Sequence, residues 1–179
     1  MPSVILKKNQ DRRIRGGHPW VFSNEIASFE GPVEDGGIVD VVDGRGAFIA
    51  RGFLNRHSLI AVRVLTRKSE PLTAEFFQRR FEQAASYREN LYPGADAMRI
   101  VAGEADHLPG LFIDRYGDYL VVQASSLGMD LRLQEIAGPL REVTGALGAL
   151  ARCDQPARAL EGMGPRVETL WGEVPEELV

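Results

Sequence analysis

The stretch "GIVDVVDGRGAFIARGFLNRHSLIAVRVLTR", residues 37–67, decides the fold of the first third of the chain. It contains three apolar runs, at residues 38–42, 47–53 and 59–65, and the last of them has several β-branched residues. Short runs of this kind, divided by glycine and polar residues, are typical of strands in a small all-β barrel. Asp43-Gly44 divides the first two runs and predicts a hairpin, because glycine can adopt the positive φ that such a turn needs.

Towards the N-terminus the pattern continues with further short segments. Residues 4–6 and residues 20–22 are brief apolar runs and predict two more strands, whereas the polar residues 9–14 are suited to one or two helical turns. Residues 1–68 are therefore predicted to form one small β-barrel domain.

The pattern changes at residues 69–72, "SEPL", which we predict to be a linker. Beyond it the apolar residues first recur at helical spacing, and we expect Thr73 to cap a helix that runs to about Leu91. Tyr92-Pro93-Gly94 should end this helix. Further segments are predicted as strands at 98–101, 111–114, 119–123 and 146–153, with a second helix at 129–143 that Gly138-Pro139 should kink or divide. Residues 73–179 are thus expected to form a second domain, of α+β class.

Charge is unevenly distributed along the 179 residues. The whole chain carries a net charge of −4, but residues 1–68 hold 11 Lys and Arg against 7 Asp and Glu, a net of +4, and the remainder is at −8. Such asymmetry is typical of a module that binds a polyanion joined to a second unit. The positive charge is concentrated in the N-terminal segment, at Lys7, Lys8, Arg12, Arg13 and Arg15.

These five basic residues are suited to follow a phosphate backbone, since only Asp11 opposes them within nine positions. His18 and Trp20 could stack on an unpaired base. Trp20 has an alternative interpretation, which we favour: it opens the apolar run Trp-Val-Phe and packs inward. If the predicted barrel closes, Arg51, Arg56, His57 and Arg63 could share a face with this N-terminal cluster.

Other classes of site receive less support. Glu104, Asp106 and His107 lie close together and could form a metal or acid/base cluster, although we favour a structural role for these carboxylates in a sharply turning loop. The single cysteine, Cys153, ends an apolar run and is expected to be a buried structural thiol. Neither a dinucleotide-binding glycine pattern nor a Walker or zinc motif is present. No apolar run is long enough to span a bilayer, so we expect a cytoplasmic protein with no membrane partner.

Three separated stretches, "RRIRGGHPWVFSNEI", "GFLNRHSLIAVRVL" and "GEADHLPGLFIDRYGDYLVVQ", occur in an order and spacing that resembles one family of class I methyltransferases. These are S-adenosylmethionine-dependent enzymes that methylate C5 of cytosine in large-subunit ribosomal RNA. The resemblance covers essentially the whole chain. It implies an N-terminal PUA domain that binds RNA, followed by a central α+β domain of strand-strand-helix-strand-strand type.

The resemblance also implies a C-terminal Rossmann-like domain that holds S-adenosylmethionine and the catalytic cysteine, and this part is missing from the present chain. We therefore expect a domain or truncated product of a methyltransferase, without a cofactor or catalytic residue of its own and inactive alone. Its partner would be ribosomal RNA, and a homodimer of the full-length proteins is compatible with the resemblance. The RNA-binding role carries over to Lys7, Lys8, Arg12, Arg13, Arg15 and His18, with Arg51, Asn55 and Arg63 on the barrel as weaker RNA-binding candidates. Glu104, Asp106 and Pro109 receive a structural or domain-packing role.

Two alternatives remain at this stage. The chain could be a stand-alone RNA-binding adaptor, complete at Val179. It could also be a metal-dependent hydrolase that uses Glu104, Asp106 and His107, which would require those three side chains to converge in one pocket.

Overall fold

The computed structural model describes residues 1–175, and in them two mixed sheets pack side by side. The first sheet has the strand order β2-β6-β5-β4-β1-β3. Its members are β1 (Ser3–Leu6), β2 (Trp20–Phe22), β3 (Ile26–Glu30), β4 (Ile38–Val42), β5 (Phe48–Leu54) and β6 (Ile60–Thr66), and helix α1 (Asp11–Arg15) lies between β1 and β2. Neighbouring strands are antiparallel except for β1 and β4, which run parallel. The sheet curls around an apolar core that α1 also enters through Ile14.

The predicted hairpin between β4 and β5 is confirmed, but the prediction that Gly44 adopts the positive φ of the turn is wrong. The turn closes between the Asp43 N–H and the Ala47 carbonyl at 3.0 Å, and the residue at positive φ is Gly46, at +83°. Asp43 itself holds the turn, since its Oδ1 accepts the backbone N–H groups of Arg45 and Ala47 at 2.9 and 3.0 Å. These bonds, that of Ala47 first, lower the pKa of the Asp43 carboxyl below its ordinary value.

The second sheet has the order β11-β10-β9-β8-β7. Its strands are β7 (Ala97–Ala102), β8 (Leu111–Tyr116), β9 (Tyr119–Ala124), β10 (Gly148–Cys153) and β11 (Arg166–Trp171), and its helices are α2 (Ala74–Leu91), α3 (Leu127–Asp130) and α4 (Leu133–Thr144). The order β8-β9-helices-β10-β11 matches the expected strand-strand-helix-strand-strand type. Helix α2 and strand β7 precede that unit, so the predicted type describes only part of this half.

The helices depart from the sequence predictions at three points. Thr73 does precede α2, but its side chain makes no capping hydrogen bond, and Leu91 is 51% exposed rather than packed. Helix α4 continues through Pro139. The division falls earlier, at residues 131–132, which separate α3 from α4. Residues 176–179, the end of the predicted second domain, lie outside the described residues. No helix within residues 1–175 is both long and apolar enough to cross a membrane.

The apolar core of the second sheet extends into the first sheet. Phe53 and Leu65 of the first sheet belong to the same buried cluster as the aromatic face of α2 and the inner residues of β8 and β9. At the closest approach Gly128 of α3 lies directly against the Phe53 ring, because a Cβ added at Gly128 would be 2.2 Å from Phe53 Cγ. The junction therefore depends on the absence of a side chain at this position.

The variant Gly128→Ala is expected to lower the free energy of unfolding by about 1–3 kcal/mol, since overpacking forces a buried ring or backbone to shift. Urea unfolding followed by circular dichroism measures the change. Gly44→Ala is the control, because a Cβ at Gly44 would meet only the Leu6 carbonyl oxygen, at an ordinary 3.8 Å. Equal stability of the two variants would contradict the packing described at the junction.

Candidate nucleic-acid interface

The N-terminal basic segment, residues 7–18, contains α1 and packs on the first sheet. The backbone turns directly after β1, where the Gln10 N–H donates to the Lys7 carbonyl at 3.0 Å and Asn9 takes a φ of +68°. Asparagine tolerates that left-handed conformation better than most residues. The side chain of Ile14 is fully buried in the first core and fixes α1 to the sheet. The basic side chains of this segment are therefore held facing solvent.

Two of the arginines in the basic segment have carboxylate partners. Arg13 donates to Glu25, with Nε 3.1 Å from Oε1, and its guanidinium lies 4.9 Å from the centroid of the Phe22 ring. Arg15 donates to Asp11 at 2.8 Å and to Asp43 at 2.9 Å. Arg15 thereby ties α1 to the β4–β5 hairpin, although its side chain remains 45% exposed.

Lys8 and Arg12 are the two basic residues of the segment whose side chains have no partner within residues 1–175. Both are exposed. Across residues 1–175 neither side chain takes part in an ion pair or hydrogen bond, while the neighbouring Lys7 ammonium donates to the Asn24 carbonyl at 2.8 Å. Lys8 and Arg12 could bind a phosphate without breaking any internal contact.

His18, Trp20 and Phe22 form an aromatic cluster beside the basic segment. The His18 and Trp20 rings meet edge-on with centroids 5.8 Å apart, and the Trp20 and Phe22 rings do so at 6.4 Å. All three are partly buried. The Trp20 indole N–H donates to Glu104 Oε1 at 2.8 Å, so this ring reaches across to the second half of the chain. The inward-packing residue of β2 is instead Val21, as the two-residue period of a strand requires.

The three weaker candidates on the first sheet are engaged inside the protein. Arg51 is 7% exposed and pairs with Asp40 at 2.7 Å, and Asn55 is 4% exposed and donates to Glu161. Arg63 donates to Glu161 at 2.8 Å and to Glu104 at 3.3 Å. The structure does not bring these side chains together with the basic segment. Asn55 and Arg63 join the two halves of the chain, and Arg51 is held within the first sheet by Asp40.

The loop residues Glu104, Asp106 and His107 are held by different partners. Glu104 accepts hydrogen bonds from Trp20 and Arg63. Asp106 pairs with Arg88, at 2.7 Å between Nη2 and Oδ2, and accepts the Ala102 N–H. In residues 1–175 no group of three or more His, Cys, Asp or Glu is arranged to hold a metal ion. These contacts support the structural role over the hydrolase alternative.

Cys153 lies in the interior of the second sheet, as the sequence predicted. Its Sγ accepts the Ala124 N–H at 3.2 Å, and the residue is fully buried. Burial raises the pKa of the Cys153 thiol, so the thiol stays protonated and unreactive near neutral pH.

Arg67 is a part of this surface that sequence reasoning missed. Its guanidinium donates to the Ile14 carbonyl at 3.3 Å and to the His18 carbonyl at 3.1 Å. These two hydrogen bonds connect the end of β6 to both ends of the turn formed by residues 14–18. The sequence feature that could have identified Arg67 is its position just after a predicted strand and next to a second basic residue, Lys68.

Residues 4–67 match a family model described as a PUA-like domain. Over 180 aligned residues the chain is 38% identical to ribosomal RNA large subunit methyltransferase I of Tolumonas auensis, covering 99% of this chain and 45% of that protein. The protein of the same name from Vibrio cholerae is 37% identical, with the same coverage. The chain thus spans about half the length of the curated relatives it matches.

Solved structures show the same fold. A Streptococcus mutans protein described as a SAM-dependent methyltransferase aligns with a TM-score of 0.80 at 19% identity, over 99% of this chain and 45% of that one. A second structure, described as a methyltransferase complexed with SAH, aligns with a TM-score of 0.79, also at 19% identity, over 99% of this chain and 44% of that one. At this identity the likeness concerns the fold alone.

Proposed function

Because residues 4–67 belong to the PUA-like domain family and the chain is homologous over nearly its whole length to ribosomal RNA large subunit methyltransferase I, we propose that it binds and positions ribosomal RNA for a methyltransferase. In this proposal residues 1–68 form the RNA-binding domain and residues 73–179 a central domain that supports it. The methylated atom would be C5 of a cytosine, and the site of action would be the cytoplasm.

The observation that carries the proposal is the basic segment at residues 7–18, held by buried Ile14 on the PUA-like domain. Contacts to phosphate oxygens fix the register and orientation of a nucleic acid without reading its sequence. Lys8 and Arg12 supply free charges for such contacts, and Arg15 offers a third through its exposed face. His18 stands at the edge of the aromatic cluster, where an unpaired base could stack.

S-adenosylmethionine is the cofactor that the family implies, and the described residues do not fit it. A nucleotide-type cofactor is normally cradled by a glycine-rich turn between a strand and a helix. Three connections in the described residues lead from a strand into an α-helix. They are residues 7–10, 67–73 and 125–126, and none of them contains a glycine. We therefore assign cofactor binding and methyl transfer to the full-length proteins, and expect residues 1–179 to be inactive alone.

The test of the proposal is direct binding of a fluorescently labelled stem-loop RNA, followed by anisotropy at increasing salt. We expect binding that weakens linearly on a double-logarithmic plot, because each neutralised phosphate releases counterions. Absence of binding at low salt, or binding that does not respond to salt, would contradict the proposed function.

A further inference from the structure

A small polar cleft opens where the first half of the chain meets α2. It has a volume of about 100 Å³ and is lined by Lys68, Glu70, Phe76, Arg79, Arg80 and Gln83. Lys68 follows β6 by two positions, and the two arginines come from the second turn of α2. The cleft thus joins side chains from both halves of the chain.

The cleft carries an excess of positive charge. Its three cations face one carboxylate, and that carboxylate is already engaged: Glu70 Oε2 accepts from Arg79 at 3.2 Å, and its Oε1 accepts from the Thr66 hydroxyl at 2.7 Å. Arg80 is less well satisfied, because its only hydrogen bond within the described residues is a long one of 3.4 Å to the Leu65 carbonyl. Its guanidinium lies 5.2 Å from the Phe76 ring centroid, which holds it in place at the cleft wall.

Arg80 is also partly withdrawn from water. Burial lowers the pKa of its guanidinium, and the positive charge of Arg79 adds to that effect while Glu70 opposes it. An anion in the cleft would relieve the same repulsion. Among the cleft cations, Lys68 and Arg80 are therefore the two that form no ion pair with a carboxylate of residues 1–175.

Arg67 links the chain beside the cleft to the basic segment. Arg67, the neighbour of Lys68, donates to the carbonyls of Ile14 and His18. Burial, and after it the positive charges of Arg80 and Arg67, lower the pKa of His107. The contacts of Arg67 thus place the end of β6, which Lys68 follows, beside the basic segment.

We propose that Lys68 and Arg80 bind a second backbone phosphate of the RNA whose first contacts are made by the basic segment. This inference rests on the proposed function and extends the RNA footprint beyond the PUA-like domain onto α2. A phosphodiester suits the cleft because it brings one negative charge and two free oxygens that can accept from an ammonium and a guanidinium at once. A free phosphate ion shares this chemistry, so the test must separate the two.

The test compares the double variant Lys68→Gln, Arg80→Gln with the wild type in binding to the labelled stem-loop RNA across a salt series. We expect an affinity loss of about tenfold. We also expect the slope of log K against log salt to fall by about 0.7–0.9, the value for one lost phosphate contact. The change in slope separates a phosphate contact from a merely structural role. Arg80→Lys keeps the charge and should retain the slope.

The matched control is Arg141→Gln, Arg152→Gln, which removes two exposed charges on α4 and β10 and should leave the slope unchanged. If the slope of the cleft variant equals that of the wild type while changes at Lys8 and Arg12 reduce it, the cleft proposal is wrong and the proposed function stands. If the wild type binds no RNA, both fail. Calorimetric binding of inorganic phosphate that the cleft variant loses, together with an unchanged RNA slope, would show a free-phosphate site and also overturn the proposal.

Discussion

Replacing Glu161 with alanine should lower the free energy of unfolding by about 3–5 kcal/mol, because it removes one partner of a buried ion pair. Glu161 is 3% exposed, and its carboxylate accepts from Arg63 at 2.8 Å, from Asn55 at 2.9 Å and from the Leu127 N–H at 3.3 Å. These donors come from β6, from the end of β5 and from the start of α3. The loss of Glu161 would therefore leave buried donors without an acceptor where the two halves meet.

Urea unfolding at neutral pH measures this effect, with Glu142→Ala as the control because Glu142 is exposed on α4. The control should change the free energy of unfolding by less than about 0.5 kcal/mol. If Glu161→Ala and Glu142→Ala unfold alike, Glu161 does not hold the junction as described.

The same carboxylate predicts a pH dependence. Burial raises the pKa of Glu161, but the hydrogen bond and charge of Arg63, with Asn55, outweigh it and hold the pKa below the ordinary 4.5. A depressed pKa in the folded state contributes stability that is complete above the unfolded value and is lost as pH falls through the folded value. Unfolding free energies measured below pH 4.5 should thus fall more steeply for the wild type than for Glu161→Gln.

Much of the fold follows from local pattern. Strands β4 to β6 are long, apolar and divided by turn residues, so residues 37–67 predict them directly. Strand β3 was missed because four of its five residues are exposed and its sequence "IASFE" has no alternation to detect. The division of the helices was placed at Gly138-Pro139 from proline chemistry. Tertiary packing of Leu133, Ile136 and Leu140 instead keeps α4 intact through Pro139.

The candidate site was predictable in part. The basic segment can be identified from the sequence, because the basic residues between Lys7 and Arg15 are close along the chain and are therefore close in space in any fold. Pairing is different: Arg51 with Asp40, Asn55 with Glu161 and Trp20 with Glu104 depend on contacts between distant positions. A charge seen in sequence does not show whether a carboxylate from elsewhere has already neutralised it. Arg67 and the cleft at α2 were missed for the same reason.

The double variant Lys8→Gln, Arg12→Gln should bind the labelled stem-loop RNA about tenfold to a hundredfold more weakly than the wild type. Because both contacts would be exposed and screened by salt, together they are expected to contribute roughly 1.5–3 kcal/mol, the value of one hydrogen bond to a charged group, and 1.4 kcal/mol corresponds to a factor of about ten. Because both side chains are exposed and without internal partners in the described structure, their replacement should leave the unfolding free energy unchanged. Loss of binding would then report on the interface and not on the fold.

Arg13 and Arg15 offer a graded comparison within the same segment. Arg13 contacts Glu25 and the Trp20 carbonyl, and Arg15 contacts Asp11 and Asp43. A phosphate would therefore compete with these existing partners for each guanidinium. Their single glutamine variants should each weaken binding less than Arg12→Gln. They should also destabilise the protein more.

The salt dependence of RNA affinity, measured by anisotropy for the wild type and for Lys8→Gln, Arg12→Gln, tests the central claim most directly. The account predicts a negative slope of log K against log salt for the wild type, reduced by about 1.4–1.8 in the variant for two lost phosphate contacts. The control variant Arg141→Gln, Arg152→Gln should keep the wild-type slope. Equal slopes and equal affinities for the wild type and Lys8→Gln, Arg12→Gln would contradict the assignment of residues 7–18 as the RNA interface.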